Sequence, residues 1–397
     1  MSARTLSLTI VAACCCRVLA SLPPTTVEKL AASYGYHDDT HDVVTPDGYI
    51  LTVHRLSKPD ALNSSRHNSP ILLGHGLLTS SEQWIFRQDG NLALQLVDNG
   101  FDVWLGNYRG TPYGLRHKTL SPKSHEFWDF SWHENGVLDQ AAMIDYILNI
   151  TGRERLFAVS YSMSCTASMV LYSERPEYNS KVIANIFFAP SAFIKHPTGL
   201  WQLTKVTMKM FPGLTNLLKD ATGNHIINDK LPFSDVSLTT ICHVAKRNII
   251  LAPICTLLSE FFAGRHSPSA ADRLLRGLTV RIPSGASIRQ CVHYAQSIER
   301  GGEFRQYDFG RARNLELYGS SEPPSYNLQA VASPVHFFCG ISDRTVSIKD
   351  CDTLTKTIPS TVSVNKVPRY QHHDFILGEG LDELVNTKVI AYLLSYL

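Results

Sequence analysis

Short apolar runs separated by segments of helical spacing are the feature that most narrows the fold of this 397-residue chain. Continuous apolar runs of strand length are typical of parallel strands that are buried on both faces of a sheet. The runs cover residues 71–73, 101–105, 156–159, 182–188 and 335–339, with a weaker candidate at 361–367. Helical spacing occurs at residues 92–99, 137–149, 166–174, 347–356 and 381–397. This alternation of strand and helix predicts an α/β fold with a mostly parallel sheet.

Two departures from the alternation define the rest of the architecture. Residues 43–56 alternate around a tight-turn tetrad, Thr45-Pro46-Asp47-Gly48, which predicts a β-hairpin. Residues 197–328 contain no comparable strand run and carry apolar clusters at 200–218 and 249–262. Such an insertion between two strands predicts a cap over the carboxyl edge of the sheet, where open α/β sheets bind ligands. The alternative is an ordinary second domain with its own core.

The N-terminal segment has the features of a signal peptide. Arg4 precedes an apolar run at residues 6–16, and small or modest side chains at 18–20 precede a cut before Ser21. A short membrane anchor is the alternative, but the run is too short to span a bilayer. No later stretch reaches 18 uninterrupted apolar residues, so no spanning helix is predicted. We expect a secreted or lysosomal protein whose core comprises residues 21–196 and 329–397.

The cysteines and the net charge exclude some classes of site. No CxxC pair remains after residue 20, so we predict no metal site. Cys242 and Cys255 are close enough to close one local loop, whereas Cys165 and Cys339 occupy apolar contexts typical of buried free thiols. The formal net charge of +2 is too small to indicate a nucleic-acid partner.

Two glycosylation sequons are present, at Asn63-Ser64-Ser65 and at Asn149-Ile150-Thr151. A three-residue pattern is weak by itself, and an unmodified asparagine is the alternative at Asn63 and at Asn149.

A predicted strand leads into a serine-centred turn and then a helix. Ser162 lies at the centre of Ser160-Tyr161-Ser162-Met163-Ser164, the layout of a nucleophile elbow. The usual pattern is Gly-x-Ser-x-Gly, because strand and helix pass close together and the nucleophile has a strained backbone. Serine replaces both glycines here, so the pentapeptide alone is weak evidence, because three serines at alternate positions of a strand end are more often structural.

A serine nucleophile needs a base and an orienting carboxylate, which follow it along the chain in α/β-hydrolases. Asp343 comes just after a predicted strand, although it could cap the next helix, and Asp350 and Asp352 compete with it. His372 and His373 precede the last predicted helix, and either could be the base.

Two preorganised N–H donors are needed for the oxyanion of an acyl-transfer intermediate. The expected donors are the residue after the nucleophile, Met163, and the glycine-containing loop at residues 74–78.

Further motifs give the chain a resemblance to the acid lipases, which include the lysosomal acid and gastric lipases. They lie at residues 41–51, 74–78, 102–110, 121–122, 126–131, 307–310 and 323–328. The segment Asp102-Val103-Trp104-Leu105-Gly106-Asn107-Tyr108-Arg109-Gly110 is highly specific to that family. The resemblance extends from Tyr36 to the C-terminus.

The resemblance implies an α/β-hydrolase core, a mainly helical cap with a lid, no cofactor, and hydrolysis of neutral lipid esters such as triacylglycerol or steryl esters. It assigns the nucleophile to Ser162, the acid to Asp343 and the base to His372, with Leu77 as the oxyanion donor of the earlier loop. Cys242 and Cys255 match the cap disulfide of the family, although their separation is longer than expected there.

Because the elbow lacks glycines, three hypotheses about the function remain open. The first is a serine ester hydrolase that acts at a lipid–water interface through an acyl-enzyme intermediate. The second is a catalytically weak or inactive lipid-binding homologue, and the third is an esterase for small or unusual acyl substrates. Retention of all three triad residue types in the right order favours the first hypothesis.

Overall fold

A mixed sheet with helices on both faces forms the described part of the chain. The computed structural model describes residues 26–58, 67–87, 89–198, 202, 225–226 and 284–397. The strands are β1 (His37–Val44), β2 (Tyr49–Ser57), β3 (Pro70–Gly74), β4 (Asp102–Leu105), β5 (Arg116–His117), β6 (Leu156–Tyr161), β7 (Val182–Phe188), β8 (His225–Ile226), β9 (Ala286–Ser287), β10 (Val335–Gly340) and β11 (Thr361–Val367).

The helices include one in each of the five segments that helical spacing predicts, at residues 92–99, 137–149, 166–174, 347–356 and 381–397. They are α1 (Val27–Ser33), α2 (Leu92–Asp98), α3 (Trp132–Glu134), α4 (Ala141–Thr151), α5 (Met163–Glu174), α6 (Ile288–Glu299), α7 (Arg311–Tyr318), α8 (Ile348–Thr357), α9 (Asp374–Leu377) and α10 (Thr387–Leu394). π-Helical segments at Asn135–Gln140 and Asp382–Asn386 precede α4 and α10. None of the described helices is both long enough and apolar enough to cross a bilayer.

The large sheet has the strand order β1-β2-β4-β3-β6-β7-β10-β11, and β5 pairs with β2 beside this path. Pairing is antiparallel from β1 to β2 and from β2 to β4, and parallel from β4 onward. The predicted hairpin is present as β1 and β2. Because the parallel strands end at the same edge, residues remote in sequence meet there.

Neighbouring residues of each central strand enter opposite cores, which explains why the predicted strands are continuously apolar. Leu72 of β3 and Phe187 of β7 lie in the core that α4, α5 and α8 cover. Leu73 and Phe188, the next residues along, lie in the core that α1, α2 and α10 cover. Because both faces of the sheet are buried, polar and apolar residues do not alternate along these strands.

An ion-pair cluster at Arg109 holds the hairpin turn against the sheet. The guanidinium is 2.6 Å from an oxygen of Asp47 in the turn and 2.8 Å from an oxygen of Asp139 in the π-helical segment. It also lies 3.9 Å above the ring of Tyr49. Arg109 and Asp139 are buried, so each charge depends on the other for compensation. The specific motif at residues 102–110 therefore includes a structural anchor.

The interval expected to be a cap is described only in part. Its described residues include β9, α6 and α7. Outside the described residues lie the predicted signal peptide (residues 1–20), Asn63, the Cys242 and Cys255 pair, and nearly all of the apolar clusters at 200–218 and 249–262. Asn149, the other sequon, is exposed near the end of α4.

A buried histidine docks α6 onto the core. The His293 ring is stacked on Trp132, with the ring centroids 3.5 Å apart. Its Nε2 atom is 2.9 Å from the carbonyl oxygen of Arg305, and its Nδ1 atom is 3.1 Å from Ser131 Oγ. Burial lowers the pKa of His293 to about 3, so the ring is neutral at the docking face.

Acid is expected to weaken this docking. Because the folded-state pKa of His293 is about 3 and its ordinary value is 6.5, the unfolded chain binds a proton more readily. The stabilisation is complete above pH 6.5 and is lost as the pH falls from 6.5 towards 3. We expect His293→Gln to flatten the fall in free energy of unfolding over this range, measured by urea denaturation at stepped pH. An equal slope in His293→Gln and in the wild-type protein would contradict the assignment.

Cys339 is disulfide-bonded, contrary to the expectation of a free thiol. It pairs with Cys351 of α8, 12 positions later in the sequence. Apolar context did not distinguish the two states, because a buried disulfide and a buried thiol have similar surroundings. Cys165 is free and buried, as expected. The disulfide ties the end of β10 to the following helix and closes the loop that contains Asp343.

Cys351→Ala should lower the free energy of unfolding by about 3 kcal/mol, the chain-entropy value for a loop of this length. Urea unfolding measures the loss, and peptide mapping without reductant detects the disulfide directly. Cys291→Ala is the control, since Cys291 is a free thiol. Equal stability of the two variants would show that the disulfide does not constrain the chain.

Candidate active site

Ser162 occupies a sharp turn between β6 and α5. Its backbone has φ 53° and ψ −110°, a conformation that is costly for a residue with a Cβ atom. Its N–H donates to the carbonyl oxygen of Phe188 in β7, over 2.9 Å. The residue is 8% exposed, so its hydroxyl lies in a largely enclosed site. This is the strand–turn–helix layout that the sequence predicts for an elbow.

The His372 imidazole lies between the Ser162 hydroxyl and the Asp343 carboxylate. His372 Nε2 is 2.7 Å from Ser162 Oγ, and His372 Nδ1 is 2.9 Å from Asp343 Oδ2. Ser162 and His372 are 210 positions apart in the sequence. The geometry assigns the ring proton to Nδ1, which donates to Asp343, and leaves Nε2 to accept from the serine hydroxyl.

The carboxylate of Asp343 is held in a fixed orientation. Its Oδ1 accepts from the N–H groups of Thr345, at 2.7 Å, and Val346, at 2.8 Å, which leaves Oδ2 towards His372. The two competing acids face other partners. Asp350 Oδ1 is 2.7 Å from Nδ1 of His196, and Asp352 pairs with an exposed lysine.

The adjacent histidine, His373, is hydrogen-bonded to Tyr161. Its Nδ1 atom is 2.9 Å from the hydroxyl of Tyr161, which also donates to the carbonyl oxygen of His372 at 3.2 Å. Burial lowers the pKa of His373 to about 3. Tyr161 and His373 therefore join the elbow strand to the loop that carries His372.

The segments that carry the two expected oxyanion donors, Met163 and Leu77, border the elbow. Met163 opens α5, and the first N–H groups of a helix have no intrahelical partner. The Gly76 backbone, next to Leu77, passes close to the elbow. A Cβ atom on Gly76 would lie 3.5 Å from Ser162 Cβ and 2.8 Å from the ring of Tyr161. Glycine at this position permits the loop to pack closely against the Tyr161 ring at the elbow.

His75 holds that loop in place, a role that sequence analysis missed. Its Nδ1 atom donates to the carbonyl oxygen of Gly76 at 2.8 Å, and its Nε2 atom accepts from the N–H of Tyr108 at 3.1 Å. Burial lowers the pKa of His75 to about 4, which keeps the ring neutral and able to accept. A histidine between two glycines was the available signal, but nothing in the sequence identified Tyr108 as its partner.

The described residues contain no group of three or more His, Cys, Asp or Glu side chains that could hold a metal ion.

Two family models match the amino-acid sequence. One represents a partial α/β-hydrolase lipase region and matches residues 27–88. The other represents the α/β-hydrolase fold and matches residues 69–212.

Named relatives match almost the whole chain. Lipase 1 of Drosophila melanogaster is 30% identical over 371 residues, which cover 93% of this chain and 79% of the relative. Lysosomal acid lipase/cholesteryl ester hydrolase of Rattus norvegicus is 30% identical over 375 residues, which cover 93% and 91%. Gastric triacylglycerol lipase of Homo sapiens is 29% identical over 368 residues, which cover 92% and 90%.

Solved structures share the architecture at lower identity. An esterase from Rhodococcus sp. ECU1013 has a TM-score of 0.50 and 13% identity, covering 90% of this chain and 98% of its own. A hypothetical protein from Pseudomonas aeruginosa has a TM-score of 0.51 and 11% identity, covering 91% and 94%. At these identities the likeness concerns the fold alone. The matches to lipase sequences, together with this fold, show that the chain belongs to the acid lipase family of α/β-hydrolases, a family of carboxylic ester hydrolases.

Proposed function

We propose that the protein hydrolyses neutral lipid esters with Ser162 as nucleophile, His372 as base and Asp343 as orienting acid. The observation that carries this proposal is the placement of one imidazole within hydrogen-bonding distance of both the hydroxyl and the carboxylate. Nucleophilic catalysis by serine requires this arrangement, because a neutral hydroxyl is a weak nucleophile until a base accepts its proton.

The reaction proceeds in two halves. Ser162 Oγ attacks the ester carbonyl carbon while its proton moves to His372 Nε2, and Asp343 stabilises the resulting imidazolium. The N–H groups of Leu77 and Met163 stabilise the oxyanion. His372 then gives the proton to the departing alcohol, which leaves an acyl group on Ser162. Water, deprotonated by His372, releases the fatty acid in the second half by the same steps.

A triacylglycerol or a steryl ester is the proposed substrate. The names of the rat and human relatives include cholesteryl ester hydrolase and triacylglycerol lipase, which supports this class. The first twenty residues support a signal peptide and hence secretion or delivery to the lysosome.

The proposed domain division places a cap at residues 197–328 between the two parts of the core. In the described ranges, the strands of the large sheet end at Phe188 and resume at Val335, which supports a boundary on each side of this interval. We propose that the cap covers the acyl chain and keeps bulk water from the enclosed serine, as the resemblance to acid lipases implies.

Ser160 and Ser164 occupy the positions of the usual elbow glycines. This difference favours an alternative, a lipid-binding homologue with little or no activity. The two functions differ in one observable. A fluorophosphonate probe forms an adduct with an activated serine, whereas a relic site leaves the hydroxyl unreactive.

We expect the folded wild-type protein to acquire one fluorophosphonate adduct at Ser162, located by peptide mass spectrometry. Ser162→Ala and His372→Ala should each lower kcat for p-nitrophenyl esters by about 10⁴–10⁶-fold, because the triad acts as a unit. Asp343→Asn should lower kcat by about 10⁴-fold. Asp352→Asn, which changes an acid paired with Lys366, is the matched control and should retain activity. Absence of labelling in protein shown to be folded would support the non-catalytic alternative.

Acyl-chain preference separates a lipase from an esterase for small substrates. For p-nitrophenyl acetate, butyrate and octanoate, we expect kcat/KM to rise by up to about 4-fold per methylene, the equivalent of roughly 0.8 kcal/mol for each buried CH₂. Emulsified triacylglycerol should also be cleaved, as followed by titration of released fatty acid. A maximum at acetate with no release from the emulsion would instead indicate a short-chain esterase.

A further inference from the structure

Tyr108 contacts both elements that carry the proposed oxyanion donors. Its main-chain N–H donates to His75 Nε2 at 3.1 Å, and its hydroxyl is 2.9 Å from Ser164 Oγ. His75 belongs to the loop that contains Leu77, and Ser164 follows Met163 in α5. We propose that Tyr108 is a positioning residue for ester hydrolysis, one that sets the distance between these two donors through Ser164. This inference rests on the function proposed above.

The Tyr108 hydroxyl belongs to a buried polar network behind the elbow. It donates to Gln140 Oε1 at 3.1 Å, and Gln140 Nε2 donates to Ser168 Oγ at 2.7 Å. Ser168 Oγ in turn donates to the carbonyl oxygen of Ser164 at 3.0 Å and lies 3.1 Å from Ser160 Oγ. All five residues are at most 2% exposed, so a polar group without a partner would be costly here.

The hydroxyl protons of this network can all be assigned without conflict. Since Tyr108 gives its proton to Gln140, it accepts from Ser164. Since Ser168 gives its proton to the Ser164 carbonyl, it accepts from Ser160 and from Gln140. Each hydroxyl therefore donates once, and hydrogen bonds in such a buried network make its members rigid.

The two serines that replace the elbow glycines are thus accommodated within the turn. Ser160 and Ser164 both direct their hydroxyls into the network. Space for Ser164 comes from Gly74 at the end of β3, where an added Cβ would lie 1.9 Å from Ser164 Oγ. Strand β6 and helix α5 can approach closely because the small residue, Gly74, lies in the neighbouring strand β3. The elbow is adapted to serine, because the Tyr108 hydroxyl gives the Ser164 hydroxyl a hydrogen-bond partner.

Tyr108→Phe keeps the ring and the main-chain N–H but leaves Ser164 Oγ without its acceptor. We expect kcat for p-nitrophenyl butyrate to fall by about 10–100-fold, the range expected for a small misplacement of catalytic groups. KM should stay within about 2-fold, because the oxyanion forms only in the transition state. The rate of fluorophosphonate labelling should fall in parallel.

A double-mutant cycle with Ser164→Ala tests the pairing. If the two hydroxyls act together, the double variant should lose no more kcat than the more impaired single variant. Tyr172→Phe is the matched control, since Tyr172 is a buried tyrosine of α5 that hydrogen-bonds Asn185 at 2.7 Å, away from the elbow. It should lower stability while kcat of the folded protein stays at the wild-type level.

Replacing Ser164 with glycine tests whether the turn is adapted to the serine or strained by it. We expect Ser164→Gly to lower kcat, whereas a rise would show that the serine strains the turn and would overturn the proposal. Wild-type kcat in folded Tyr108→Phe would also overturn it while leaving the ester hydrolase function intact. A wild-type protein that is inert towards both ester and probe would instead refute the proposed function, and this inference with it.

Discussion

The site depends on one strained residue. Ser162 has a positive φ although it carries a side chain, and such a conformation costs on the order of 1–3 kcal/mol. The surrounding structure must therefore stabilise it. Strand β6 on one side and α5 on the other are both deeply buried, and the Ser162 N–H is committed to β7. Because β6 is packed on both faces of the sheet and α5 covers one of them, the turn cannot relax without disturbing the cores on both faces.

Close backbone contacts at the carboxyl edge of the sheet bring the other groups to that serine. Gly340, at the end of β10, packs so tightly against the chain before His372 that an added Cβ would lie 2.3 Å from the carbonyl oxygen of Tyr370. The same contact aligns the Asp343 loop with the imidazole. The disulfide between Cys339 and Cys351 closes that loop from behind. Rigid support of this kind limits the motion of groups whose function depends on short distances.

The motif at residues 102–110 performs two structural tasks. Arg109 compensates the buried charge of Asp139 and anchors the hairpin turn through Asp47. Tyr108, the residue before it, contacts the elbow and the loop after β3. This segment has no proposed role in the chemical steps. It can still be specific to the family, because it connects elements that have such a role.

Much of the fold could be predicted from the sequence, since burial on both faces leaves continuous apolar runs that local reasoning detects. The strand β5 was not predicted, because an element of two residues leaves little periodic signal, and α1 was not predicted either. Residue types and their order along the chain indicated a serine, an acid and a histidine, and local sequence left Asp343 in competition with Asp350 and His372 with His373. Only the tertiary structure decided which of these side chains converge, since that choice depends on where strands separated by up to about 200 residues end. It also decided that the elbow serines have partners, because Tyr108 and Gln140 reach them through space and leave no trace in the local sequence.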